Sequence, residues 1–121
     1  MDSNLLGHWG ESLAAEYLRK KGYQILSANF RCRMGEIDLI AQKKTVIVFV
    51  EVKLRKNADF AQAMEFVDRR KQQRIKIAAE HYLAEKECMD AFTRFDVIEI
   101  YAPLGAATKK PEIRHLEDAF Q

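Results

Sequence analysis

Residues 45–54 constrain the fold of this chain more than any other stretch. Their odd positions are Thr45, Ile47, Phe49, Glu51 and Lys53, and their even positions are Val46, Val48, Val50, Val52 and Leu54. Both faces are apolar over most of the length, which predicts a central strand covered on both sides. Such a strand has little room for acids. Yet Glu51 and Lys53 share one face at its far end, and Glu36, Asp38 and Ile40 share one face of the strand pattern before it.

Pairing parity brings these groups together. With Lys43-Lys44 at the tip of an antiparallel hairpin, position 42 faces 45, 38 faces 49 and 36 faces 51. Asp38 and Glu51 then lie on one face as diagonal neighbours, with Cβ atoms roughly 7 Å apart or less. Two carboxylates so placed each give an oxygen to one hard divalent cation, at about 2.0–2.1 Å for magnesium. Without a cation they repel, and at least one pKa rises. The alternative is a hairpin end whose acids and lysine face water, but so apolar a run argues for burial.

At 121 residues the chain reads as one domain, residues 1–121. Its core spans about 7–101, and a linker with a short terminal segment fills 102–121. A hydrophobic content of 48% and a charged content of 31% are ordinary for a globular protein. No charged n-region leads into an apolar h-region, and no apolar run reaches the ~18 residues of a membrane span. A cytoplasmic protein without a membrane partner is the expectation. Cys32 and Cys88 lack metal-type spacing, which fits reduced thiols. Cys32 lies between Arg31 and Arg33, yet an incidental cysteine is the simpler reading. His8, His81 and His115 show no ligand spacing and receive no role.

A first helix is expected over about 6–21, closed by Gly22. Leu13, Ala14, Ala15, Tyr17 and Leu18 form its apolar arc, and Glu11 falls inside that arc at about 100° per residue. Two explanations stay open: a carboxylate offsetting the helix dipole, or an acid aimed across the sheet at Asp38 and Glu51. Strands are expected over 23–31 and 93–101, with Asp96 near the start of the latter. Residues 55–60 form a polar loop, and a long helix runs from about 64 to 87, its apolar side holding Val67, Ile75, Ala78, Tyr82 and Leu83.

Five basic residues, Arg69, Arg70, Lys71, Arg74 and Lys76, fall within eight positions at the start of that helix. Such a run is usually a solvated face. Here Arg31, Arg33, Lys53, Arg55 and Lys56 flank the acidic hairpin as well, and converging basic runs favour a phosphate-binding surface. Lys71 falls between Val67, Ala78 and Tyr82 on the apolar arc. A lysine there needs its stem packed on the sheet and its ammonium on acids or phosphate.

The order helix, three strands, helix, strand predicts an α/β sandwich whose fourth strand lies parallel beside the third. An acid in the first helix, Asp38 on strand two and Glu51-x-Lys53 on strand three resemble the PD-(D/E)xK nucleases, especially archaeal-type Holliday-junction resolvases. More closely, several linked motifs resemble the YraN family of small bacterial proteins. These are Gly10-Glu11, Asn29-Phe30-Arg31, 35–40, 48–53, Val67-Asp68-x-x-Lys71 and 94–97. The resemblance runs from about residue 7 to 101.

It implies a restriction-endonuclease-like αβββαβ fold with a mixed sheet, and metal-dependent phosphodiester cleavage. Asp38 and Glu51 would bind Mg2+ or Mn2+, with Glu11 joining them, and Lys53 would orient the attacking water and stabilise charge on the phosphate. Ile37 stands where the superfamily's name puts proline, which removes no ligand. A nucleic-acid partner, DNA first, follows from this chemistry, with Arg31, Arg33, Arg55, Lys56, Arg69, Arg70, Lys71 and Arg74 as its binding residues. A homodimer is left open. The competing hypothesis is a nucleic-acid-binding protein of the same fold without useful turnover, which would have no need of the acids.

Overall fold

The apolar run of residues 45–54 forms the middle of the sheet. A computed structural model describes residues 3–56 and 67–121. In it α1 (Ser3–Lys20) precedes β1 (Gln24–Cys32), β2 (Gly35–Lys43) and β3 (Val46–Arg55). Then come α2 (Arg69–Glu85), β4 (Phe92–Tyr101), a 3-10 turn (Gly105–Ala107) and β5 (Glu112–Phe120). The five strands lie in sequence order, with β3 parallel to β4 and the other neighbours antiparallel. This mixed sheet between two helices is the restriction-endonuclease-like arrangement, with β5 added at its edge.

Each helix covers one face. Ala14, Ala15 and Leu18 of α1 pack with Leu39, Val48, Val50, Ile98 and Ile100. Ile75, Ala78, Ala79, Tyr82 and Leu83 of α2 pack with Ile40, Ile47, Phe49 and Val97. Even and odd positions of β3 thus serve opposite cores, as its double apolar pattern requires. The end of α1 follows from Gly22, whose φ of 93° suits glycine. Gly22 N–H bonds Arg19 O and Tyr23 N–H bonds Leu18 O, each at 3.0 Å, which satisfies the last carbonyls.

The second helix starts later than its pattern implies. Asp68 is extended (φ −70°, ψ 172°), and its side chain accepts the Lys71 N–H at 2.8 Å, an N-cap that fixes Arg69 as the first helical residue. Val67 and Asp68 therefore precede the helix, while 64–66 lie outside the described residues, as do 57–60 of the expected polar loop. The terminal segment is a full edge strand rather than a short packing piece. Ile113 reaches the α1-side core and Leu116, Ala119 and Phe120 the α2-side core, so pairing with β4 buries apolar area on both faces.

Candidate active site

Glu51 stands on β3 just past Phe49 on the α2 side, at the end of the apolar run. Its side chain is only 5% exposed, and Oε2 lies 3.4 Å from Lys71 Nζ and 3.9 Å from Lys53 Nζ. Among the described residues that oxygen has no hydrogen-bond partner. Burial first, then the neighbouring Asp38 through hydrogen bonding and repulsion, pushes the Glu51 carboxyl up to about 8 against the pull of Lys71 and Lys53.

Asp38 arrives through a break in the sheet. The β2–β3 ladder ends at Leu39 opposite Val50. One step on, the Asp38 carboxylate replaces a backbone acceptor and takes the Val52 N–H at 2.8 Å. Ile37 and Ile40 both pack on the α2 side while Leu39 packs on the α1 side, so β2 turns over at Asp38. Across β1 the facing residue is Asn29, between the Ala28–Leu39 and Phe30–Ile37 pairs. Asn29 has a φ of 56°, a left-handed conformation that asparagine tolerates.

Two expectations are corrected here. Lys43 pairs with Val46, which shifts the expected register by two residues and makes Lys44-Thr45 the turn. Lys44 adopts φ 55°, allowing a two-residue turn and one more rung. An even shift preserves faces, so Glu51 keeps its side, but the register now leads Asp38 directly opposite Glu51 instead of diagonal to it. The second correction concerns alternation. Strict alternation does not hold, because Ile37 joins Ile40 on the α2 side, where Glu36 also meets Lys71.

Glu11 approaches from the α1 side, where it lines a hollow of about 240 Å³ with Asn29, Arg19 and Leu39. Its Oε1 is buried and, among the described residues, lacks a hydrogen-bond partner. Burial and the charge of Asp38 raise its pKa, while Asn29, His8 and Arg31 oppose the rise. Asp38 thus acts on an acid from each layer. Lys71, 28% exposed, places its ammonium 3.3 Å from Glu36 Oε1 and 3.4 Å from Glu51 Oε2. Burial works against its charge, but Glu51, Glu36 and Asp38 together hold its pKa above the usual ammonium value.

Among the described residues no three His, Cys, Asp or Glu side chains stand preassembled around one point. The donors are of the kind a hard cation takes: among the described residues Glu11 Oε1 and Glu51 Oε2 are buried oxygens without hydrogen-bond partners, and Asp38 is electrostatically coupled to both.

The basic residues divide. Arg33, Arg70 and Arg74 line a cavity of about 270 Å³ with Met34. Gly35 makes this approach feasible, since a Cβ there would meet Arg74 O at 2.0 Å. Arg31 is exposed, its Nε 4.0 Å from Glu36 Oε2, and Arg69 is exposed at the helix start. Arg55 instead turns to the buried Glu99, with Nε 3.4 Å from Oε2. Lys56 is exposed and lines a separate hollow with Leu6 and Leu104. A larger hollow, about 500 Å³ between Val46, Phe92 and Phe120, shares no residue with the acids.

Sequence reasoning assigned no site role to Glu36 or Glu99, and none to His115. His115 Nε2 lies 2.6 Å from Asp96 Oδ2, and the same buried carboxylate is held by Arg94 at 2.8 and 2.9 Å. Tyr17 OH stands 3.2 Å from His115 Nδ1, and Arg94 donates to Tyr23 OH at 2.8 Å. Despite burial, the His115, Arg94 and Asp118 N–H bonds keep the Asp96 carboxyl below its ordinary value. Asp96 was visible as an acid in a strand. Its partner on β5 was not, because no spacing links the two residues.

The match to known proteins decides the family. The model of "Uncharacterised protein family UPF0102", also called YraN, matches residues 10–100. The chain belongs to the UPF0102 family. A UPF0102 protein of Caldanaerobacter subterraneus subsp. tengcongensis is 44% identical over 99% of this chain and 98% of its own length. One from Geotalea daltonii is 46% identical over 98% of this chain and 91% of its own. A third, from Clostridium perfringens, is 44% identical over 96% and 93% respectively. Glu11 of α1, Asp38 of β2 and Glu51 of β3 all fall within the matched residues. No helix among the described residues is long and apolar enough to cross a membrane.

Proposed function

We propose that this UPF0102 chain is a metal-dependent nuclease that cleaves phosphodiester bonds in DNA, with branched DNA the first substrate class to test. The observation that carries this reading is Glu51: a buried carboxyl coupled to Asp38, with Lys53 two residues on and Lys71 of α2 both turned to its Oε2. An acid so costly to bury is hard to explain by stability alone.

Asp38, Glu51 and Glu11 would hold magnesium or manganese, which when bound supplies a Lewis acid for the phosphoryl group. The protein's own groups do the positioning. The Val52 N–H fixes one oxygen of Asp38 and so holds its carboxylate beside Glu51. Lys53, one quarter exposed beside Glu51, offers positive charge to a phosphate whose negative charge grows in the transition state. The Arg33–Arg70–Arg74 cavity gives the neighbouring strand a phosphate anchor.

The test is cleavage of junction, flap, nicked and single-stranded DNAs with magnesium or manganese. Asp38→Ala, Glu51→Ala and Lys53→Ala should each lose about a hundredfold or more, the scale for removing a group that stabilises transition-state charge. Circular dichroism and most of the DNA affinity should persist. If wild type cuts none of these substrates with either metal, the nuclease reading fails and a binding protein of this fold replaces it.

A further inference from the structure

Lys71 holds a place that geometry gives to a cation. Its ammonium stands between carboxylates from two strands, Glu36 of β2 at 3.3 Å and Glu51 of β3 at 3.4 Å. The backbone beneath it is pinned, because the Lys71 N–H donates to the Asp68 cap at 2.8 Å and the Gln72 side chain donates to Val67 O at 2.9 Å. The helix therefore delivers the charge to a set point rather than letting a long side chain search for one.

The charges around the break in the sheet account for the consequence. Glu11, Glu36, Asp38 and Glu51 supply four carboxylates, and Lys53 and Lys71 supply two ammoniums. Arg31 is mostly solvent-exposed and 4.0 Å from Glu36, so water screens it. When all four acids are ionised, two negative charges remain, the complement of one divalent cation. Nucleases with two metals set them about 3.5–4 Å apart, each cation stabilising one reacting oxygen. Here a lysine stands on one side of the acid pair.

We infer that the Lys71 ammonium is a built-in cation on the Glu36–Glu51 side of the site, so that the chain takes up one divalent metal ion and not two. The inference rests on the metal-binding reading of Asp38, Glu51 and Glu11. Glu36 is then the holder of Lys71 rather than a metal ligand. Removing the ammonium leaves Glu36 and Glu51 Oε2 facing the vacated position, with Lys53 alone too distant to fill it, and a second ion fills the gap.

Counting bound Mn2+ on the full chain tests this, using the electron paramagnetic resonance signal of the free ion and no DNA. Wild type should saturate at one ion per chain and Lys71→Met at two. Lys71→Met combined with Glu36→Gln should return to one, which ties the second ion to Glu36. Lys71→Gln serves as a second neutral variant should the methionine variant not melt cooperatively. Two ions on wild type, or one on both Lys71 variants, would overturn the inference while leaving the metal reading intact. No ion on wild type would overturn the metal reading itself, and this inference with it.

Discussion

Two ammonium groups stand 3.4 and 3.9 Å from one oxygen of Glu51, yet burial and Asp38 outweigh them and push its carboxyl up to about 8. From about pH 4.5 to 8 the folded chain keeps a proton that the unfolded chain has already released. Stability therefore falls as pH rises through that window. At about 1.4 kcal/mol per pKa unit the loss is on the order of a few kcal/mol. Glu11 and Glu99, both raised by burial, slope the same way. Asp96, held low by His115 and Arg94, acts separately, its contribution fading only in acid below its ordinary range. Urea unfolding across this range should show the decline, and Glu51→Gln should flatten it. Magnesium should oppose it, since the metal displaces the proton; an unchanged slope with magnesium would count against metal binding at Glu51. At this scale the sequence was informative where a residue broke its helix pattern. Glu11 and Lys71 fell on apolar arcs by a 100° count, and both prove to be part-buried groups near Asp38. Glu36 obeyed its pattern and so gave no signal.

Between elements, Gly35 after the β1–β2 turn lies tightest of the glycines, against α2. A methyl at Gly35 would stand 2.0 Å from the Arg74 carbonyl oxygen and 3.3 Å from Ala78 Cβ. Helix and turn would have to separate, so Gly35→Ala should lower stability by about 1–3 kcal/mol, the range for overpacking. The urea midpoint reads this, and the same variant should weaken DNA binding by parting Arg33 from Arg70 and Arg74. The strands themselves were legible because apolar alternation with two covered faces admits few arrangements. The hairpin register was less so. Lys44-Thr45 and Lys43-Lys44 are equally polar turns, and the choice depends on which residue accepts a positive φ. The turnover at Asp38 was hidden for a related reason: it needs Asn29 to change conformation on a different strand, which alternation along β2 does not register.

Across the molecule, the basic groups sort by what the fold leaves available to them. Arg55 is committed to Glu99, whereas Arg33, Arg70 and Arg74 converge without ion pairs among the described residues. Changing these three to glutamine should weaken binding to all DNA sequences alike. For every phosphate no longer neutralised, the slope of log affinity against log salt should become shallower by about 0.9. An unchanged slope would leave the three arginines a solvated surface. Composition did not foretell this division, since a net charge of +2 is silent about where the charges sit. The crossover has a further consequence, in the order of assembly. β1, β2 and β3 join through short turns, but β4 meets β3 only after the chain between Arg55 and Phe92 has closed on itself. Pairing across so long a loop is slow compared with zipping a hairpin. A chain caught midway holds Asp38 beside Glu51 but has not yet received Lys71 from α2. By the inference above, such a half-built copy leaves its Glu36–Glu51 side open to a second cation until the helix docks.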